Sequence, residues 1–164
     1  MEENQVFSSS FNYKDFPSYI CVSLSNKNES ELTHGIPNEI CFESGDLVSV
    51  DVAFKTTKDC LDFVIEQIIP NKTTIGEIGK IINNYVKTRG FYSIKESGGH
   101  CIGNSLHEEP FIPNFDSKDK TKLKEGMFIC IEPLVQLFDD KITHKIKQNW
   151  NVVVSTNNNP NAHY

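Results

Sequence analysis

The segment GGHCIGNSLHEEP, residues 98–110, holds the side chains best suited to chemistry in this sequence. It places His100 and His107 seven residues apart among glycines and ends in two glutamates and a proline. An imidazole can bind a metal or transfer a proton near neutral pH. The same pattern also fits two histidines beside a turn, and the segment alone does not separate these alternatives.

Two carboxylates accompany strand-like apolar segments elsewhere in the chain. Asp51 lies in SGDLVSVDVAF, where valines alternate with Ser49, Asp51 and Ala53, and this period predicts a strand. Glu132 ends the apolar run MFICIEP. One imidazole, that of His100, and two carboxylates make a donor mixture that suits Mn, Fe, Co or Zn. The alternative is that each group is satisfied locally, with Asp51 bonded by backbone amides, His100 in a turn and Glu132 exposed.

The other histidines divide into two groups. His34, in the turn HGIP, and His107 are candidates to donate to a substrate carbonyl beside a metal. For His107 the alternative is a polar loop that closes on Pro110. We expect His144, in the lysine-rich DKITHKIK, at the surface, and His163 at a frayed terminus.

The elements that must position these side chains alternate between strand and helix patterns. Helical spacing of apolar residues predicts a helix over 57–69, which Pro70 ends. The apolar stripe of this helix comprises Cys60, Leu61, Val64, Ile65, Ile68 and Ile69. Thr74 and Glu77 match a capping box, which predicts a second amphipathic helix that continues until Gly90. Further strands are expected at FYSI, at MFICIEP and, as the last strand, at NWNVVVS. The fold class is therefore α+β.

Composition limits the function classes that remain. A chain of 164 residues suits one domain, which we expect over 11–164 after a polar tail at 1–10. The net charge of −6 and the pI near 5.3 argue against a nucleic-acid partner. No apolar run approaches the roughly 20 residues of a membrane span, and the acidic, polar N-terminus does not resemble a signal peptide. Five scattered cysteines without a CxxC pair favour reduced thiols in an intracellular protein.

An ordered set of motifs resembles one known family. The blocks are FNYKDFPSYICVSL…THGIPNE, GDLVSVDVAF, GGHCIGNSLHEEPFIPNF, LKEGMFICIEP and NWNVVVSTNNNPNAHY. They are similar, in the same order, to successive blocks of the type I methionine aminopeptidases and cover most of residues 11–164. The resemblance implies the pita-bread fold, an antiparallel sheet flanked by helices around a site for two metal ions.

The resemblance also implies a role for individual residues. Asp51, His100 and Glu132 correspond to metal ligands, and Glu132 also to the group that handles the proton of the attacking water. His34 and His107 correspond to substrate-facing histidines, and His107 would stabilise the oxyanion. The methionine pocket would be lined by Tyr13, Phe16, Cys21, Leu106 and Trp150. Leu106 stands where an aromatic residue is usual, which would loosen the pocket.

The implied function is removal of the initiator methionine from nascent chains whose second residue is small. The cofactors would be two divalent cations from among Co, Mn, Fe and Zn. Ribosome association is a further hypothesis, no membrane or nucleic acid is expected, and the protein is expected to be a monomer. The expected location is the cytoplasm, with an organelle as the alternative.

The sequence departs from the family pattern at two ligand positions. A hairpin of perhaps two dozen residues, which carries a second aspartate ligand, is missing between DVAF and KTTKDCLDFVIEQIIP. The glutamate ligand that would follow NAHY is also absent, as are most of the N-terminal helices. We do not expect Asp59 or Asp62, both in the helical segment, to replace the aspartate. Either the sequence is incomplete, which we favour, or the chain is an inactive pita-bread domain that binds peptides or a partner.

Overall fold

The computed structural model describes the backbone of residues 15, 17, 31–33, 48–147, 150–156, 159 and 161–163. Side chains are not described at 31–33, 48–55, 147, 150 and 152. Within the described part, neither helix combines the length and apolarity needed to cross a bilayer.

Two helices supply six of the ten buried residues in the main hydrophobic cluster. α1 spans Val48–Gln67 and α2 spans Ile75–Lys87. Both predicted helices are therefore confirmed, and α1 ends shortly before Pro70. Buried residues of the core are Cys60, Val64, Ile75, Ile78, Ile82, Val86, Ile112, Leu123, Val135 and Ala162. The predicted apolar stripe is only partly correct, since Ile65 on α1 and Ile69, just after its end, are 54% and 52% exposed.

The strand predicted around Asp51 is wrong in this structure, because α1 already includes this segment. No glycine or proline interrupts residues 46–69. Extending an existing helix by one residue adds one hydrogen bond, whereas starting a new element requires several residues to be fixed first. The valines lower helix propensity by only tenths of a kcal/mol each. The helical pattern of 57–67 therefore extends back through Asp51.

The described strands pair antiparallel in three sheets. Their bounds are β1 Glu31–Thr33, β2 Tyr92–Ser93, β3 Gly98–Ile102, β4 Glu108–Pro113, β5 Phe128–Ile129, β6 Leu134–Gln136, β7 Ile142–Lys147, β8 Trp150–Ser155 and β9 Asn161–His163. Among the described residues the strand orders are β1-β8-β7, β2-β6-β9 and β4-β3-β5. Helix α2 packs closely on the end of β4, where a side chain at Gly79 would overlap backbone oxygens of Pro113 and Phe115.

The segment MFICIEP is not one strand, as the sequence predicted. It divides into β5 and a crossing at 130–133 that leads to β6 in a different sheet. Pro133 has no N–H to donate to a strand ladder. The carbonyl of Glu132 instead accepts a hydrogen bond of 2.8 Å from the buried amide of Asn114. The end of the crossing at Glu132 is therefore held by a side chain.

The prediction that NWNVVVS is the last strand is also wrong. β9 follows it and pairs with β6, with Leu134 opposite His163. Before β9, the buried side chain of Asn159 contacts the segment after β6 by accepting from the Phe138 N–H at 2.9 Å and donating to the Asp139 carbonyl at 3.1 Å. His163 therefore belongs to a sheet and not to a frayed end. His144 is exposed, as expected, on the unpredicted strand β7.

The capping box of α2 is confirmed and gives a prediction for pH dependence. Glu77 accepts from the Thr74 N–H at 2.7 Å, and the Glu77 N–H donates to the Thr74 hydroxyl at 3.2 Å. The hydrogen bond from the Thr74 backbone holds the pKa of Glu77 below its ordinary value of 4.5. Because the folded-state pKa is depressed, the stabilisation is present above the ordinary pKa and is lost as the pH falls through the folded-state value.

We therefore expect Glu77→Gln, which removes the charge and keeps hydrogen-bonding ability, to unfold at lower urea than the wild-type protein at pH 7. The difference should shrink when both are compared at about pH 3. Glu66→Gln, at an exposed position on α1, serves as the control and should shift the midpoint little. A Glu77→Gln difference that stays constant over this pH range would contradict the role of the charge.

Candidate metal centre

The centre is built on the middle strand of the β4-β3-β5 sheet. Gly99 lets β3 approach the crossing at 130–133 closely. A Cβ at this position would overlap the carbonyl oxygen of Cys130. The Cys130 N–H then donates to the His100 carbonyl at 2.7 Å. This backbone bond places the crossing at 130–133 directly beside His100.

His100 and Glu132 meet across this contact. His100 Nε2 lies 3.3 Å from Glu132 Oε1, and the two side chains are 12% and 27% exposed. His100 Nδ1 lies 2.9 Å from the Cys101 carbonyl oxygen, which can only accept a hydrogen bond. In the neutral ring the proton is therefore on Nδ1, and the Nε2 lone pair faces the carboxylate. Two acceptors at this distance are stabilised by a proton or a cation between them.

His163 contacts the other oxygen of the same carboxylate. Its Nε2 lies 3.2 Å from Glu132 Oε2, so that Glu132 stands between two imidazoles. Burial raises the pKa of Glu132, but the hydrogen bond and charge of His163, with the charges of His100 and His107, outweigh burial and lower it. Sequence reasoning missed His163 because the short strand β9 was not recognised. No local pattern in the sequence marks His163 as a neighbour of Glu132.

Cys130 is a second member of the centre that the sequence did not suggest. One ring nitrogen of His100, Cys130 Sγ and one carboxylate oxygen of Glu132 all lie within 4.8 Å of one another, and the three residues are half-buried. Burial, followed by the charge of Glu132, raises the pKa of the Cys130 thiol. One nitrogen, one sulfur and one oxygen donor fit a divalent transition metal.

His107 lies at the exposed edge of the centre. Its ring centroid is 4.1 Å from that of His100, with the planes inclined by 42°. The loop before it is held by Glu108, whose Oε1 accepts from the Ser105 N–H at 2.9 Å. An imidazole in this position can reach a molecule bound beside His100. Leu106, in the same loop, is half-buried.

The remaining candidate residues are distributed as follows. Asp51 and Trp150 lie in α1 and β8, but their side chains fall outside the described part of the structure. Tyr13, Phe16, Cys21 and His34 lie outside the described residues altogether. Among the described side chains, the donor cluster includes neither Asp59 nor Asp62, and Asp62 pairs with Lys58 at 2.6 Å.

The fold and this cluster define the protein class of the chain. Residues 52–156 match the profile of metallopeptidase family M24, and the chain belongs to this family. Its members are metallopeptidases, in agreement with a centre for divalent metal.

Methionine aminopeptidases of several bacteria are similar to this chain in sequence. The methionine aminopeptidase of Mycoplasma capricolum is 32% identical over 192 residues, covering 100% of this chain and 74% of that protein. Methionine aminopeptidase 1 of Bacillus subtilis is 29% identical, covering 86% of this chain and 65% of that protein. The first alignment spans 192 positions and all 164 residues of this chain, so about 28 positions face a gap in it. The number of gapped positions is similar to the length of the hairpin that the sequence analysis predicted to be missing.

Solved structures confirm the predicted pita-bread fold. The methionine aminopeptidase from Thermotoga maritima superposes with a TM-score of 0.86 at 24% identity, over 99% of this chain and 74% of that chain. The enzyme from Rickettsia prowazekii gives a TM-score of 0.87 at 23% identity, with the same coverage. The antiparallel sheets and the two helices described above are therefore a large part of this fold.

Proposed function

We propose that this chain is a metal-dependent aminopeptidase that removes N-terminal methionine from polypeptides. The observation that carries the proposal is the match of the whole chain to a methionine aminopeptidase, with His100 and Glu132 adjacent where the family motifs place ligands. The domain would extend over residues 11–164.

Different residues of this chain would have different roles in peptide hydrolysis. Asp51, His100 and Glu132 would hold metal, with two divalent cations of the Co, Mn, Fe or Zn type. When bound, the metal supplies Lewis acidity for the scissile carbonyl and acidifies a water molecule. Glu132 would accept the proton of that water and return it to the leaving amine.

The histidines at the edge of the centre would act on the substrate. His107 would donate to the carbonyl oxygen as negative charge develops on it, which is supported by its place beside the His100 ring. His34 would contact the scissile peptide. The methionine side chain would bind among Tyr13, Phe16, Cys21, Leu106 and Trp150, where an apolar wall suits a thioether. The substrate would be the N-terminal methionine of a nascent polypeptide, and the enzyme would act on it as a monomer.

The direct test is hydrolysis of Met-Ala-Ser by the purified 164-residue chain after addition of Mn²⁺ or Co²⁺. We expect methionine release that a chelator stops, and no release from N-acetyl-Met-Ala-Ser, which lacks the free amine. Calorimetric titration with the same ions gives the number of metal sites. Tight metal binding without any hydrolysis would contradict the proposal and support an inactive, peptide-binding domain.

A further inference from the structure

We propose that Cys130 is a metal ligand, so that the centre of this chain has a nitrogen, sulfur and oxygen donor set formed by His100, Cys130 and Glu132. The inference deepens the proposed function, on whose metal centre it rests. It would make the centre selective for Zn²⁺ over Mn²⁺, because thiolate donors favour zinc and carboxylate-rich sites suit manganese.

Distances between the donor atoms support a shared ion. Two nitrogen or oxygen ligands, each about 2.0–2.1 Å from a tetrahedral ion, stand about 3.3–3.4 Å apart. His100 Nε2 and Glu132 Oε1 are 3.3 Å apart. A thiolate on the same ion would lie about 3.5–3.6 Å from either ligand. Cys130 Sγ is within 4.8 Å of a ring nitrogen of His100 and of a carboxylate oxygen of Glu132, and a rotation of the cysteine side chain would shorten these distances.

Contacts around the centre orient the residues that would bind the metal. The bond from His100 Nδ1–H to the Cys101 carbonyl turns Nε2 toward the centre, as orienting contacts of metal-bound histidines do. His163 occupies Glu132 Oε2 and leaves Oε1 facing His100. The Cys130 backbone is held by its 2.7 Å bond to the His100 carbonyl. The donor atoms of His100 and Glu132 are thus oriented by residues outside the set, and the Cys130 backbone is held by its bond to β3.

The chemistry is a proton exchange at sulfur. Metal binding replaces the thiol proton, which passes to solvent, and the resulting thiolate forms the metal–sulfur bond. Cys130 carries a free thiol, so no disulfide has to be reduced first.

Titration with Co²⁺ under anaerobic conditions tests the assignment without reference to hydrolysis. The wild-type protein should develop a near-ultraviolet charge-transfer band from thiolate to cobalt, and Cys130→Ser should lack it. Cys101→Ser is the matched control and should keep the band, because neighbouring residues on β3 point to opposite faces. The preference for Zn²⁺ over Mn²⁺ should fall about tenfold or more in Cys130→Ser.

A measurement on the wild-type protein covers the case in which Cys130→Ser fails to fold. Zn²⁺ should slow alkylation of Cys130, mapped by mass spectrometry, while Cys60 and Cys101, which are buried, should not change. Absence of the band in wild-type protein, its persistence in Cys130→Ser, or equal alkylation with and without Zn²⁺ would each overturn the assignment. If hydrolysis fails while the band appears, only the proposed activity is lost.

Discussion

Glu132→Gln is expected to lower methionine release by about 10²–10⁴-fold, the range for loss of a general base. The amide cannot accept the water proton, and it carries no charge to hold a cation against His100. Metal affinity should fall by more than the roughly 10–100-fold that loss of an orienting contact produces, because here a ligand itself is changed. Hydrolysis of Met-Ala-Ser and calorimetric titration with Mn²⁺ measure the two effects separately.

The losses of activity and of metal affinity are expected at Glu132 because of its position between two histidines. Its two oxygens lie 3.3 and 3.2 Å from the Nε2 atoms of His100 and His163. Glu96→Gln, at an exposed glutamate outside this contact, provides the matched control and should leave both quantities unchanged. Retention of full activity by Glu132→Gln would remove Glu132 from the proposed mechanism.

Gly99→Ala is expected to destabilise the folded protein by about 3 kcal/mol or more, at or beyond the upper end of usual overpacking effects. The added methyl group would overlap the Cys130 carbonyl and crowd the Cα of Ile131, which are backbone atoms that cannot rotate away. β3 would have to separate from β5, and His100 would move away from Glu132. Urea unfolding gives the loss of stability, and Co²⁺ titration reports the loss of the centre.

Gly103→Ala is a useful comparison for this substitution. The three atoms nearest to its methyl group would all belong to the carboxylate of Glu108, a side chain that can shift. We expect a change of less than about 1 kcal/mol for this variant, as for most exposed positions. If the two glycine variants unfold at the same urea concentration, the close approach of β3 to Cys130 is not a determinant of stability.

The sequence predicted the features that depend on short-range patterns. The capping box at Thr74 and Glu77, the apolar face of α2 and the helix predicted over 57–69 follow from spacing within a few residues. All three are confirmed, with the first helix ending at Gln67. The family resemblance, carried by ordered motifs, predicted the pita-bread fold, which the solved structures confirm.

Features that depend on long-range pairing were not predictable in this way. The alternating valines around Asp51 fit a strand, but a strand needs a partner, whereas α1 needs only its own backbone. β9 has only three residues, and it is held as a strand by its antiparallel pairing with β6. His163 and Cys130 join the centre through such pairings, and no local pattern marks them as neighbours of His100.

The crossing at 130–133, which joins a strand of one sheet to a strand of another, links the centre to the folded state as a whole. His100 belongs to β3, and Glu132 and Cys130 come into reach only when the β4-β3-β5 sheet is formed and Asn114 fixes the crossing. The unfolded chain does not hold these donors together, so the free energy of metal binding becomes part of the free energy of folding. A cation present at 100 times its dissociation constant would then add about 2.7 kcal/mol to stability. In this chain metal supply would therefore raise the stability of the fold as well as the activity of the centre.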